Sequence, residues 1–210
     1  MTSGLIEACF GGLLVLASAA AADAANLDSL LRSLAREPPQ VIAFVETRRS
    51  PLLTQDVVVS GVLEYRGTAR LSRVVTEPYG ERIDIDGSDV RIQRDGRPER
   101  RFSLRRSAEL GNLLPAFSAL LTGDRAALDA GFETSVEFLP DGWQLDLVPR
   151  QTGGQERIEM IRVRGEGDAP ACIAVLAQNG TASAVIRLGA AARDAGRTPA
   201  LDCTGPHREE

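Results

Sequence analysis

From Val41 onward the chain is cut into short runs that alternate apolar and polar residues, each run ending at a turn dipeptide. Val57, Val59, Leu63 and Tyr65 fall on one parity, while Ser60, Glu64 and Arg66 fall on the other. A period of two places the first set on one face of a strand and the second set on the opposite face. Further runs of the same kind are Leu71 to Thr76, Glu81 to Ile85, Val90 to Arg94 and Arg100 to Leu104, then Phe132 to Phe138, Trp143 to Leu147, Ile158 to Arg164, Cys172 to Leu176 and Ala182 to Leu188. Pro78-Tyr79-Gly80, Asp86-Gly87, Asp95-Gly96, Asp141-Gly142 and Asn179-Gly180 separate them. These are hairpin turns, and strands joined by such short connections pair antiparallel. The pattern predicts a serial antiparallel meander rolled into one curved sheet, with the helices on its concave side.

Two segments break the period. Leu27, Leu30, Leu31 and Leu34 fall at helical spacing, after a capping Asn26 or Asp28 and before Pro38-Pro39. They predict one short amphipathic helix. Between Ser107 and Ala130, Leu110, Leu113, Leu114, Phe117, Leu120 and Leu121 form a wide apolar face that Pro115 should break. Gly123-Asp124 then turns the chain and caps a second short helix through Ala127 and Leu128. The order is one helix, about six strands, a helical insert and about five more strands.

The N-terminus reads as an export signal. An apolar run from Ala8 to Ala22 is about 15 residues long, short for a membrane span and normal for a signal core. Small residues allow cleavage after Ala22 or after Ala24. Cys9 lies at the start of the apolar run rather than after it, so it does not fit lipid attachment. The expected organisation is a signal peptide over 1–24, one folded domain over 25–189 and a loosely held tail over 190–210. Cys172 and Cys203 would then be the cysteines of an exported chain, where an oxidising compartment permits a bridge between them. The alternative is a small core residue at Cys172 and an incidental Cys203.

Composition narrows the chemistry. Net charge is −5 and every one of the 24 basic residues is arginine. That balance lacks the basic footprint of a nucleic-acid binder, and Arg100-Arg101 and Arg105-Arg106 read as solvated strand ends. The single histidine, His207, lies in the tail, which removes histidine-based nucleophilic and metal mechanisms. Asp84 and Asp86 flank a hairpin and read as a solvated turn. No cofactor is implied, and the reading is of a protein that is not an enzyme.

A succession of short motifs then carries a resemblance: Phe44-Val45-Glu46-Thr47, Gly61-Val62-Leu63-Glu64-Tyr65, the arginine-bearing turn Arg66 to Arg70, Thr76-Glu77-Pro78 and Ile83-Asp84-Ile85-Asp86-Gly87. In this order and spacing, from about Leu27 to Leu188, the chain resembles the periplasmic outer-membrane lipoprotein carrier family (LolA-like), on a divergent branch. The resemblance implies an incomplete, unclosed antiparallel β-barrel of about eleven strands with a helical lid. It implies a monomeric periplasmic carrier, with lipid or lipoprotein acyl chains as cargo. The donor would be an inner-membrane lipid exporter or extraction complex, and the recipient an outer-membrane acceptor. The lipid-binding cavity is expected at Val59, Leu63, Tyr65, Phe117 and Trp143. The lid is expected at Leu27, Leu30, Leu31, Leu34, Leu113, Leu114, Leu120 and Leu121. The resemblance also implies an arginine latch bonding to lid carbonyls, at Arg66 with Arg70 as the alternative. A filled sheet, binding a partner through an exposed edge strand, is the competing, non-enzymatic assembly or interaction role.

Overall fold

The computed structural model describes residues 26–49, 54–104, 116–150, 158–177, 181–195 and 203–204. The strands are β1 (Gln40–Arg48), β2 (Val57–Tyr65), β3 (Arg70–Glu77), β4 (Glu81–Asp86), β5 (Asp89–Arg94), β6 (Arg100–Ser103), β7 (Phe132–Leu139), β8 (Gly142–Pro149), β9 (Ile158–Glu166), β10 (Ala169–Ala177) and β11 (Ala182–Leu188). They form one sheet in the order β6-β5-β4-β3-β2-β1-β11-β10-β9-β8-β7. Every neighbouring pair is antiparallel. Two hairpin meanders are thus joined at β1 and β11, where Phe44 faces Leu188. The sheet does not close: among the described residues β6 and β7 each have one neighbour.

The alternation seen in the sequence sorts the two faces. Val59, Tyr65, Leu71, Val75, Leu145, Leu147, Ile161, Val163, Ile173 and Val175 lie on the inner face and are buried. The helices close over this face. Helix α1 covers residues 26–34 and ends where the Arg36 amide donates to the carbonyl of Leu121 at 2.9 Å. Helix α2 covers residues 116–122, and α3 (Arg125–Gly131) follows after a glycine at φ +69°. Asp124 caps α3 by accepting from the Ala127 amide at 3.0 Å, as the Gly-Asp signal predicts. Leu110, Leu113, Leu114 and Pro115 lie outside the described residues.

Gly61 has a steric reason to be glycine. A Cβ there would lie 1.9 Å from the Val74 carbonyl oxygen, because β2 and β3 shift register beside it. The tail differs from expectation. Residues 189–193 form α4 (Gly189–Arg193), with Ala192 buried. Further on, the Cys172 and Cys203 sulfurs are 2.11 Å apart. Cys203 packs with Cys172, Ala174, Leu176 and Ala182 into a second cluster on the outer face of β10 and β11. β10 is therefore covered on both sides, which explains its nearly continuous apolar sequence. Alanine-rich composition hid this because small residues carry little hydrophobic period of their own.

Candidate functional site

The inner face and the helices meet in one cluster. Leu27, Leu30, Leu31 and Leu34 of α1 are 1–3% exposed, and Phe117, Leu120 and Leu121 of α2 are 3–6% exposed. The expected cavity residues are packed among them. Val59 and Trp143 are each 2% exposed, Tyr65 is buried, and Leu63 packs against the cluster from the same face. The Trp143 indole lies against Gly165, where a Cβ would come within 2.2 Å of the ring. Its Nε1 donates to the Gly167 carbonyl at 3.0 Å, which satisfies the polar end of a buried indole. Gly165 and Gly167 therefore do more than connect strands: one leaves room for the ring and the other supplies its acceptor.

Two cavities flank α2. One of about 230 Å³ lies between α2 and the β2–β3 and β4–β5 turns, lined by Tyr65, Leu71, Ile85, Leu104, Phe117 and Ala119 among others. The other, about 390 Å³, lies between the ends of α1 and α2, the start of β1, the β9–β10 turn and α4. Phe117 is a wall of both. The first is below and the second at the bottom of the usual range for small-molecule pockets, about 300–1,000 Å³. In this arrangement the helices fill most of the space that a cargo chain would need.

Polar ties hold the helices in place. Arg36, just past α1, bonds its Nη2 to Asp168 Oδ2 in the β9–β10 turn at 3.0 Å. Arg125 of α3 pairs with Asp28 of α1 at 3.0 Å and with Asp129 at 2.8 Å. Burial works against the charge of Arg125, but the Asp129 bond and charge, with Asp28 behind them, outweigh it and raise its pKa. The Ala69 amide donates to Ser118 Oγ of α2 at 3.5 Å. Arg66 is placed elsewhere. Its guanidinium donates to Glu64 at 2.8 Å, to Ser72 and to Asp84 at 3.4 Å, all on the outer face of β2–β4. Bonds to lid carbonyls are not among its contacts in the described residues. The reason is parity: Arg66 follows Glu64 onto the polar face, as the alternation itself required. Arg70 is exposed and lines the smaller cavity.

That outer network corrects the reading of Asp84 as a solvated turn. Asp84 accepts from Ser72 and from Arg82 at 3.0 Å, and Arg82 also reaches Glu64 at 2.9 Å. The Arg82 hydrogen bond is the strongest influence on Glu64 and lowers its pKa against the effect of burial. At Asp84 burial pushes the pKa up, but the Ser72 hydroxyl and the Arg82 and Arg66 charges prevail and lower it.

The inner face has one polar inlay that the parity of β1 could have revealed. Glu46 shares a face with Phe44 and is 2% exposed. It accepts from Arg73 and from Arg48. Arg73 also lies 4.9 Å over the Phe44 ring and 3.5 Å from Glu81. Each carboxylate and each guanidinium here has an opposite partner, so the inlay ties β1, β3 and β4 together rather than offering a free charge. Among the described residues no three His, Cys, Asp or Glu side chains gather into a group that could hold a metal ion.

Comparison with known proteins follows this geometry. A family model described as "Outer membrane lipoprotein carrier protein LolA-like" matches residues 19–205. No curated protein matches. Among solved structures, a LolA superfamily protein from Nitrosomonas europaea is 14% identical over 78% of this chain and 90% of that one, with a TM-score of 0.40. MucB is 13% identical over 80% of this chain, with a TM-score of 0.45, and this chain spans 57% of its length. The MucA/MucB complex of Pseudomonas aeruginosa gives 13% identity over 78% of this chain and 55% of that one, with a TM-score of 0.43.

Proposed function

Since the chain belongs to the outer membrane lipoprotein carrier protein LolA-like family, we propose that it is a periplasmic carrier in which α1 and α2 yield to the acyl chains of a lipid or lipoprotein bound for the outer membrane. The observation that carries this reading is the cluster itself. Four leucines of α1 and the apolar side of α2 occupy the inner face of an unclosed sheet, and polar ties at the helix ends hold them there. Exposing a buried leucine costs about 1.5–3 kcal/mol, so lifting α1 into water would cost about 6–12 kcal/mol. A methylene recovers about 0.8 kcal/mol, so roughly eight to fifteen acyl methylenes balance the exchange. A single fatty chain is of that size. The lid therefore stays shut when empty and opens against cargo. The leading segment 1–24 would export the chain, and the Cys172–Cys203 bridge suits an oxidising compartment.

A second reading has its own support. The inner face is packed, and among the described residues β7 is an edge strand with one neighbour and with Phe138 55% exposed. An assembly or interaction factor could recruit a partner there by strand addition. Native mass spectrometry of protein purified from its own host without detergent separates the two. Adducts with the masses of acylated species support the carrier. A protein that is unliganded and takes up no long-chain fatty acid on incubation contradicts it.

A further inference from the structure

We infer that the cavity of about 390 Å³ beside α4 seats a single-chain amphiphile with an anionic head, a carboxylate or a phosphate, its chain lying against Phe117 and its head at Arg193. The inference rests on the carrier reading and names the class of ligand it admits. The walls are apolar and come from five elements: Leu34 of α1, Ile42 of β1, Phe117 and Leu120 of α2, Val163 of β9 and Ile173 of β10. Four of them, Leu34, Leu120, Val163 and Ile173, are 1–5% exposed in the closed arrangement, so the hole is already lined before α1 and α2 yield.

The mouth differs in kind from the walls. It carries Arg36, Gln40 and Arg193. Arg36 is already balanced by Asp168 at 3.0 Å and is steadied by the Ser33 carbonyl at 2.8 Å. Arg193 is exposed, and among the described residues no carboxylate lies within ion-pair distance of it. With Asp168 matched to Arg36, the mouth keeps one unmatched positive charge above an apolar hole. An acyl chain with a negative head satisfies both parts. A neutral head satisfies only the hole. Local sequence makes the arrangement possible. In Gly189-Ala190-Ala191-Ala192-Arg193 the alanines let α4 lie close on β1 and β10, with Ala192 buried and Ala190 lining the cavity, and the next residue projects the guanidinium at the rim. Phe117 also walls the second cavity. A chain that displaces this ring gains a path under α2 toward the inner face.

Trp143 is the only tryptophan and sits behind the β9–β10 turn rather than in the cavity lining, so calorimetric heats are read beside its emission. Its Nε1 donates to Gly167, next to the Asp168 that holds Arg36. The experiment titrates the full chain with dodecanoate, dodecyl phosphate and dodecanol, each below its aggregation concentration, and follows calorimetric heats and Trp143 emission. The same titrations are run on Arg193→Gln. The anions should bind about ten-fold more tightly than dodecanol, the low end for a charged hydrogen bond at an exposed position. The advantage should shrink with added salt and fall to about one-fold in Arg193→Gln, while dodecanol binding stays as in the wild type. Whichever anion binds more tightly assigns the head as carboxylate or phosphate. Equal binding of dodecanol and both anions, or an anion preference that survives Arg193→Gln, overturns the head-group assignment and leaves the carrier reading standing. Failure of all three to bind overturns both.

Discussion

Replacing Leu31 by alanine should weaken the empty protein and tighten its grip on an acyl chain at the same time. Leu31 is 1% exposed in the middle of α1 and packs in the cluster that the helices share with the sheet. Truncating a leucine so placed removes its transfer free energy and leaves a partial void, about 2–5 kcal/mol together. In the empty protein the whole of that loss falls on the closed arrangement. In the loaded protein, where α1 has left the inner face to the cargo, the side chain is already out of the core and little is lost. The apparent affinity is the intrinsic affinity scaled by the fraction that is competent to bind. A loss of about 2 kcal/mol on the closed side alone therefore tightens binding about 30-fold. Two measurements on the same variant check this: urea unfolding for stability, and titration with a fluorescent long-chain fatty acid for affinity. If the unfolding midpoint falls while affinity is unchanged or weaker, α1 is a permanent part of the core and the reasoning fails.

Other consequences follow from the same geometry. Cys203→Ser should lower stability by about 3–4 kcal/mol in the loop-entropy estimate, since the bridge spans a sequence separation of 31; an unfolding curve that matches the wild type under non-reducing conditions would refute it. Gly165→Ala should destabilise by about 1–3 kcal/mol by driving the Trp143 ring from its seat, read as a shift in tryptophan emission; unchanged emission and stability would contradict the packing described. Glu64 and Asp84 have lowered pKa values when folded, so the unfolded chain binds more protons near pH 4. Their stabilisation is complete above the ordinary carboxylate range of about 4 and is lost as pH falls through the folded values. Glu64→Gln should therefore flatten the acid limb of a stability–pH curve, and an unaltered limb would show that the outer network contributes nothing.

Much of the fold was legible because most strands carry their own period and most hairpins their own turn. Val57 to Tyr65 announces both a strand and the face it buries, and Asp141-Gly142 announces the hairpin that follows β7. The leucine spacing of α1 and the Gly123-Asp124 cap were equally local. What lay beyond reach depends on residues far apart in the chain. The pairing of Phe44 with Leu188 joins the two meanders, and no local signal prescribes it. The tie between Arg36 and Asp168 needs α1 docked on the β9–β10 turn. α4 went unread because a run of alanines has no apolar stripe, and Arg193 gains meaning only from the cavity it borders. Glu46 and Arg66 were readable in principle. Period two places Glu46 inward with Phe44 and Arg66 outward with Glu64, and a strict use of parity would have set the first in the core and kept the second off the helices.

The central claim is that cargo takes the place of the helix leucines on the inner face. Amide hydrogen exchange across residues 26–34 and 116–122, with and without a saturating long-chain fatty acid, tests it most directly. The expected result is faster exchange in both helices on loading, with β8, β9 and β10 exchanging as before. Helices that are unchanged or more protected when the fatty acid is bound would contradict it.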